Sequence, residues 1–155
     1  MVTPDESIRR ATQAEALPVA DLLLRSRHAT AGIPPGPFSD DEIRTWFREV
    51  AMPSSREVWV MARGDTLTAM MVLNAQWLEQ LFVAPEHLRD GRGSQLLRLA
   101  QSSRSELELW VFEANAPAIA FYEKHGFRAV GPASSENQEQ AQAICYRWTR
   151  EAPKP

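Results

Sequence analysis

Two glycines one residue apart, Gly91 and Gly93, follow the apolar run Leu81-Phe82-Val83 and precede an apolar stripe of Leu96, Leu97 and Ala100. That spacing predicts a strand, a turn and the start of a helix. A helix start leaves its first N–H groups without intrahelical partners, and the helix dipole favours an anion at the same point. Glycine lets phosphate oxygens reach the backbone, where a β-carbon would hold them off. Arg89 and Arg92 add positive charge there, so Leu88, Arg89, Asp90, Gly91, Arg92, Gly93 and Ser94 form a candidate phosphate cradle. The same residues also suit a helix start whose glycines serve close packing. A dinucleotide fingerprint would need a third glycine where Leu96 stands, and a P-loop would need Gly-Lys-Ser/Thr.

A second block runs from Leu107 to Phe127 and contains Asn115, Ala118, Phe121, Tyr122, Gly126 and Phe127. Together the two blocks resemble the GNAT family of N-acetyltransferases. That family's phosphate loop follows Gln/Arg-x-x-Gly-x-Gly/Ala, and its later block follows Asn-x-x-Ala-x-x-Phe-Tyr-x-x-x-Gly-Phe. One departure is plain: Leu88 stands at the Gln/Arg position, with the arginine displaced to Arg89. A cradle built from backbone N–H groups keeps its donor at Leu88. The resemblance extends from Ile8 to Trp148.

The resemblance implies acetyl-CoA as cosubstrate, no metal, and direct transfer in a ternary complex to a primary amine of a small molecule or peptide. It implies that two neighbouring strands, Trp77–Val83 and Leu107–Phe112, part to admit the pantetheine arm. Backbone groups of Leu81, Phe82 and Val83 would bind that arm, and one N–H would steady the thioester oxygen. Asn115 would hydrogen-bond the cofactor, and it equally suits a helix N-cap. Tyr122 matches the family tyrosine near the sulfur and is the candidate general acid; an aromatic that only packs is the other reading. Glu79 is the candidate base, acting through water. Strict alternation puts it on one face with Trp77, Leu81 and Val83, an odd place for a carboxylate unless solvent or substrate meets it. A charge at a solvated strand edge fits as well. A non-catalytic acyl-CoA-binding or protein-interaction module on the same fold is the alternative to an enzyme, and a homodimer is one assembly the resemblance leaves open.

Other chemistries find little support. His28, His87 and His125 lack metal-ligand spacing, and no Gly-x-Ser-x-Gly elbow accompanies them. A formal net charge of −3 argues against nucleic acid, which calls for a basic stripe. Cys145 is the single cysteine, so an internal disulfide is excluded and a cytoplasmic setting is expected. The start, Met1 to Glu6, is acidic rather than leader-like, and no apolar run nears the ~20 residues of a membrane helix.

The elements that must position these residues make one domain over 1–155, with 151–155 a frayed tail. Proline-rich Ile33–Pro37 breaks the helical pattern, and Gly64-Asp65 suits a two-residue hairpin. Thr12 with Glu15 has capping-box spacing, and Ser39 is placed to cap a helix to about Val50. The predicted order is β-α-α-β-β-β-α-β-α-β-β. This is a mixed α/β (α+β) domain, GNAT-like, with a mostly antiparallel sheet of about seven strands and about four helices.

Overall fold

The computed structural model describes residues 5–151. Its strands are β1 (Glu6–Arg10), β2 (Glu57–Arg63), β3 (Thr66–Asn74), β4 (Trp77–Val83), β5 (Glu106–Phe112), β6 (Arg128–Ala129) and β7 (Ala143–Thr149). Its α-helices are α1 (Ala16–Ala29), α2 (Asp40–Trp46), α3 (Arg92–Ser103) and α4 (Ala116–Lys124). The order matches the sequence expectation. Two ends differ: a 3₁₀ turn over Gln13–Glu15 precedes α1, and α2 gives way to a π turn over Phe47–Ala51 instead of running on as α-helix. Met1–Pro4 and residues 152–155, which include most of the expected tail, lie outside the described residues.

Local chemistry sets these starts. Glu15 Oε1 accepts the Thr12 N–H at 2.9 Å while Arg9 grips the same carboxylate. Ser39 and Glu42 exchange a full capping box, Glu42 N–H to Ser39 Oγ and Ser39 N–H to Glu42 Oε1. The strands form one sheet in the order β1-β2-β3-β4-β5-β7-β6. Neighbours pair antiparallel except β4 with β5, which run parallel.

Two cores flank the sheet. Val19, Leu22, Leu23 and Phe47 pack with Val58, Val60, Met70 and Val72 in one; Leu96, Leu97 and Phe127 pack with Met71, Leu73, Leu107 and Leu109 in the other. Each such side chain contributes about 1.5–3 kcal/mol relative to exposure. Helices on both faces thus brace the sheet, while the β4–β5 seam is joined at a single register pair.

Two β-bulges interrupt the ladders. Thr68 is the extra residue between the Met61↔Ala69 and Ala62↔Leu67 pairs. Glu79 is the extra residue between Val72↔Gln80 and Leu73↔Leu78. A bulge re-aims the side chains around it. The alternation that would group Glu79 with Leu81 and Val83 is therefore broken: Leu78 joins those two on the α3 side.

Candidate active site

The seam between β4 and β5 is held by one register pair, Trp77↔Glu108, supported by a hydrogen bond from Glu108 N–H to Gln76 C=O at 2.9 Å. Beyond it the strands part, as the resemblance implies. A cavity of about 530 Å³ occupies the opening, lined by Leu78 to Phe82 on one side and by Leu109 to Phe112 with Asn115 and Tyr122 on the other. The ladder's phase decides which backbone groups face it. Ala84 N–H donates to Thr68 C=O at 2.9 Å, so Gln80 and Phe82 spend their backbone groups on β3 while Leu81 and Val83 turn theirs to the gap. Ser26 Oγ already donates to the Val83 carbonyl at 2.9 Å. Of the three expected backbone binders, Leu81 and the Val83 N–H are well placed. Phe82 lines the cavity but its backbone belongs to the ladder.

Glu79 stands at the same cavity through its bulge. Arg56 Nε donates to its Oε1 at 2.7 Å and Asn74 Nδ2 to its Oε2 at 3.1 Å. The Arg56 guanidinium also lies 5.2 Å over the Trp46 ring. The expected face, shared with Leu81 and Val83, is corrected by the bulge: the carboxylate turns to Arg56 and Asn74.

At the head of the gap, Gly91 caps α3 in the left-handed region at φ 83° and Arg89 holds φ 69°. The first helical bond runs from Gln95 N–H to Gly91 C=O, so the amides of Arg92, Gly93 and Ser94 open forward. A β-carbon on Gly93 would lie 3.4 Å from Phe121 and 3.7 Å from Val83, which places this helix start against β4 and α4. Arg89 and Leu88 are exposed. Arg92 is not: its side chain is 1% exposed and locked to Glu6 at 2.6 Å. The expected charge of Arg92 beside an anion is corrected accordingly, since a guanidinium already paired in the interior adds nothing at the surface.

Asn115 caps α4, its side chain accepting the Ala118 N–H at 3.4 Å, and it borders the cavity. The cap uses the amide oxygen, and the amide nitrogen remains a donor on a residue that borders the cavity. Tyr122 lines the cavity with its ring edge-on to Phe121 and Phe127. Burial pushes its phenol well above the usual tyrosine value. The hydroxyl therefore keeps its proton, and it is a weaker acid than a solvent-exposed tyrosine.

A larger cavity of about 960 Å³ adjoins on the α2 side, lined by Thr30, the Ile33–Phe38 connection, Trp46, Gln138 and Glu139 among others. Arg27, Ile33, Gln80, Gln138 and Glu139 border both cavities. Gly32 seats the connection: at φ +88° its Cα approaches the β5–α4 turn so closely that a β-carbon would sit 2.4 Å from the Ala114 carbonyl oxygen.

A family model for the acetyltransferase (GNAT) domain matches residues 54–129. The peptidyl-lysine N-acetyltransferase YjaB of Escherichia coli (strain K12) is 31% identical over 128 residues, 81% of this chain and 84% of that protein. The chain belongs to the GNAT family. Its fold superposes on the solution structure of apo YjaB with a TM-score of 0.77 at 27% identity, covering 96% of this chain and 98% of that one. The peptidyl-lysine N-acetyltransferase YiaC of the same organism is 36% identical over 73 residues, which span 46% of this chain and half the length of YiaC. PaiA N-acetyltransferase from Thermoplasma acidophilum, solved with coenzyme A, shares the fold at 19% identity and a TM-score of 0.68, covering 94% and 99% of the two chains.

As a GNAT enzyme the chain uses acetyl-CoA, and the gap suits it. Unpaired backbone groups along β4, forward-facing amides at α3 and an opening about 530 Å³ in volume match a pantetheine arm ending in a pyrophosphate. Among the described residues no group of His, Cys, Asp or Glu is arranged to hold a metal ion, and no helix is long and apolar enough to cross a membrane. Cys145 lies off the gap on β7, its thiol pushed up by burial and by the Glu108 charge.

Several residues at this site escape sequence reasoning. Gly32 is a lone glycine beside prolines, and its need appears only when Ala114 packs on it. Arg56, in the loop before β2, and Glu79, on β4, lie 23 residues apart. Arg27 and Glu139 approach to 3.8 Å from α1 and from the connection before β7. No spacing rule joins such pairs.

Proposed function

We propose that this enzyme acetylates the ε-amino group of lysine in a peptide or protein, by direct transfer in a ternary complex. The observation that carries the reading is the junction of the two cavities at Gln80. An acceptor seated between the Ile33–Phe38 connection and Gln138–Glu139 opens straight onto the gap. The larger cavity, at about 960 Å³, stands at the upper end of small-ligand sites and gives room for a peptide segment around the lysine. Asp40, Asp41, Glu42, Glu49 and Glu139 on its wall suit a cationic chain. Peptidyl-lysine acetylation by YjaB and YiaC supports the same acceptor class.

Bound acetyl-CoA supplies an activated acetyl thioester. The chain's own residues do the rest. Lysine arrives as an ammonium, and Glu79 receives its proton through water. The amine nitrogen then bonds to the acetyl carbon as the carbon–sulfur bond breaks. The Leu81 N–H, turned to the gap, steadies the acetyl oxygen as charge builds on it. Tyr122 gives its proton to the departing sulfur, and the nitrogen, shedding its second proton as the amide forms, restores the tyrosine through water while Glu79 releases its own proton to solvent.

Incubating the protein with acetyl-CoA and a lysine-peptide library, with site mapping by mass spectrometry, tests the reading. Lysine ε-acetylation coupled to CoA release is the expected result. Rapid turnover of free polyamines with no peptide acetylation would overturn the acceptor class.

A further inference from the structure

We propose that Glu6 and Arg92 form a positioning pair for the phosphate loop, so that acetyl-CoA affinity depends on an ion pair that never touches the ligand. The proposal rests on reading residues 88–94 as the site of the CoA pyrophosphate.

Arg92 is the first residue of α3 and lies between the two loop glycines. Its side chain is 1% exposed and that of Glu6 is 0% exposed. The contact is a fork: Nε donates to Oε2 at 3.0 Å and Nη2 to Oε1 at 2.6 Å. The remaining nitrogen, Nη1, donates to the His87 carbonyl at 3.3 Å and to Asp90 Oδ2 at 3.0 Å. One side chain therefore fastens α3 to β1 and to the loop that leads into α3.

Glu6 is itself held. Arg63 Nη2 donates to its Oε1 and Thr68 Oγ1 to its Oε2, both at 2.9 Å. Thr68 is the bulged residue of β3, and its carbonyl takes the Ala84 N–H just before the loop begins. The segment is thus tied at Ala84, His87, Asp90 and Arg92 to a single buried carboxylate and its partners.

Stability alone does not account for this arrangement. A buried ion pair is often matched or bettered by apolar residues of similar volume. A fork of directed hydrogen bonds fixes orientation where apolar packing fixes only volume. The loop has need of it: Arg89 at φ 69° is a non-glycine residue in the left-handed region, a conformation that persists when its surroundings impose it. A loop already set for its ligand avoids the ordering cost at binding.

The test is the double variant Glu6→Leu/Arg92→Met, which replaces the pair by apolar side chains, with thermal melts to verify folding. We expect the Kd for CoA and the KM for acetyl-CoA to rise about tenfold with kcat at saturation unchanged. A folded double variant with parental Kd, or one whose kcat falls instead, overturns the proposal. Arg92→Lys keeps the charge and loses the fork. It stands in if the double variant unfolds, with the same expectation, and parental Kd in it is equally fatal. Gly93→Val separates this idea from the loop reading. Loss of CoA binding in Gly93→Val with parental binding in the pair variants sinks only the positioning role. Parental binding in Gly93→Val sinks the loop reading itself.

Discussion

Arg56 Nε lies 2.7 Å from Glu79 Oε1, and the same guanidinium lies over Trp46 in the wall of the larger cavity. Asn74 takes the other oxygen at 3.1 Å. The carboxylate borders the gap, and its partner Arg56 rests on a wall residue of the larger cavity. One donor per oxygen leaves lone pairs for a water or an ammonium. As the proposed base, Glu79 would be aligned before substrate arrives.

Glu79→Gln removes the proposed acceptor of the lysine proton while keeping, through its amide oxygen, one of the hydrogen bonds from Arg56 and Asn74. Kcat/KM should drop most at the acidic end, by roughly 10²-fold, and recover toward the parent as alkaline solvent deprotonates the amine. The ascending limb of the pH–rate profile moves upward. A profile parallel to the parent's at full activity would show that water alone takes the proton.

Tyr122→Phe keeps the ring contacts with Phe121 and Phe127 and deletes only the hydroxyl. Kcat should fall by roughly 10²–10⁴-fold, with CoA affinity nearly constant by calorimetry. Equal turnover would leave Tyr122 a packing residue. Thiol-detection assays of CoA release must subtract Cys145.

The blocks that name the family were legible because their logic is local. A glycine turn into α3 and the run from Asn115 to Phe127 are set by neighbours a few residues apart. Strand β4 was bounded from sequence at the residues observed, yet the placement of Glu79 on it failed. Alternation assumes an unbroken ladder, and the bulge that breaks it depends on how β4 registers against β3. Arg92 misled for a similar reason: its partner lies 86 residues away on β1. A sequence shows the charge of an arginine but not which way the fold turns it.

Gly32→Ala probes a dependence that no motif carries. The new β-carbon would meet Ala114 O at 2.4 Å and the Asn115 Cα at 3.0 Å, in a backbone conformation at φ +88° that alanine resists. The strain should cost about 1–3 kcal/mol and lower Tm by roughly 3–10 °C. Displacing the β5–α4 turn also shifts Asn115, so CoA binding should weaken in the same variant. Calorimetry of unfolding and of binding checks both, and an unchanged Tm would contradict the packing described.

Acid stability reports on the buried pair independently of any ligand. Arg92 beside it, above all, holds the Glu6 carboxyl at about 2 against an ordinary 4.5, while burial opposes the shift and Thr68 and Arg63 reinforce it. The unfolded chain therefore takes up a proton at Glu6 near pH 4.5, and the folded one only near pH 2. Between those values the unfolded state binds more protons, so folding weakens as the pH drops; above about pH 5 the contribution is complete. Its size is on the order of 3 kcal/mol. Glu15, held at about 2 chiefly by Arg9, adds in the same window, but that pair is more exposed and screened. Urea midpoints measured from pH 7 down to pH 3 should fall steeply in the parent below pH 4.5. In Glu6→Leu/Arg92→Met the slope should flatten while the midpoint at pH 7 stays near the parent's. Parallel curves for the two proteins would mean that the acid sensitivity arises elsewhere and that Glu6 gains nothing from its partner.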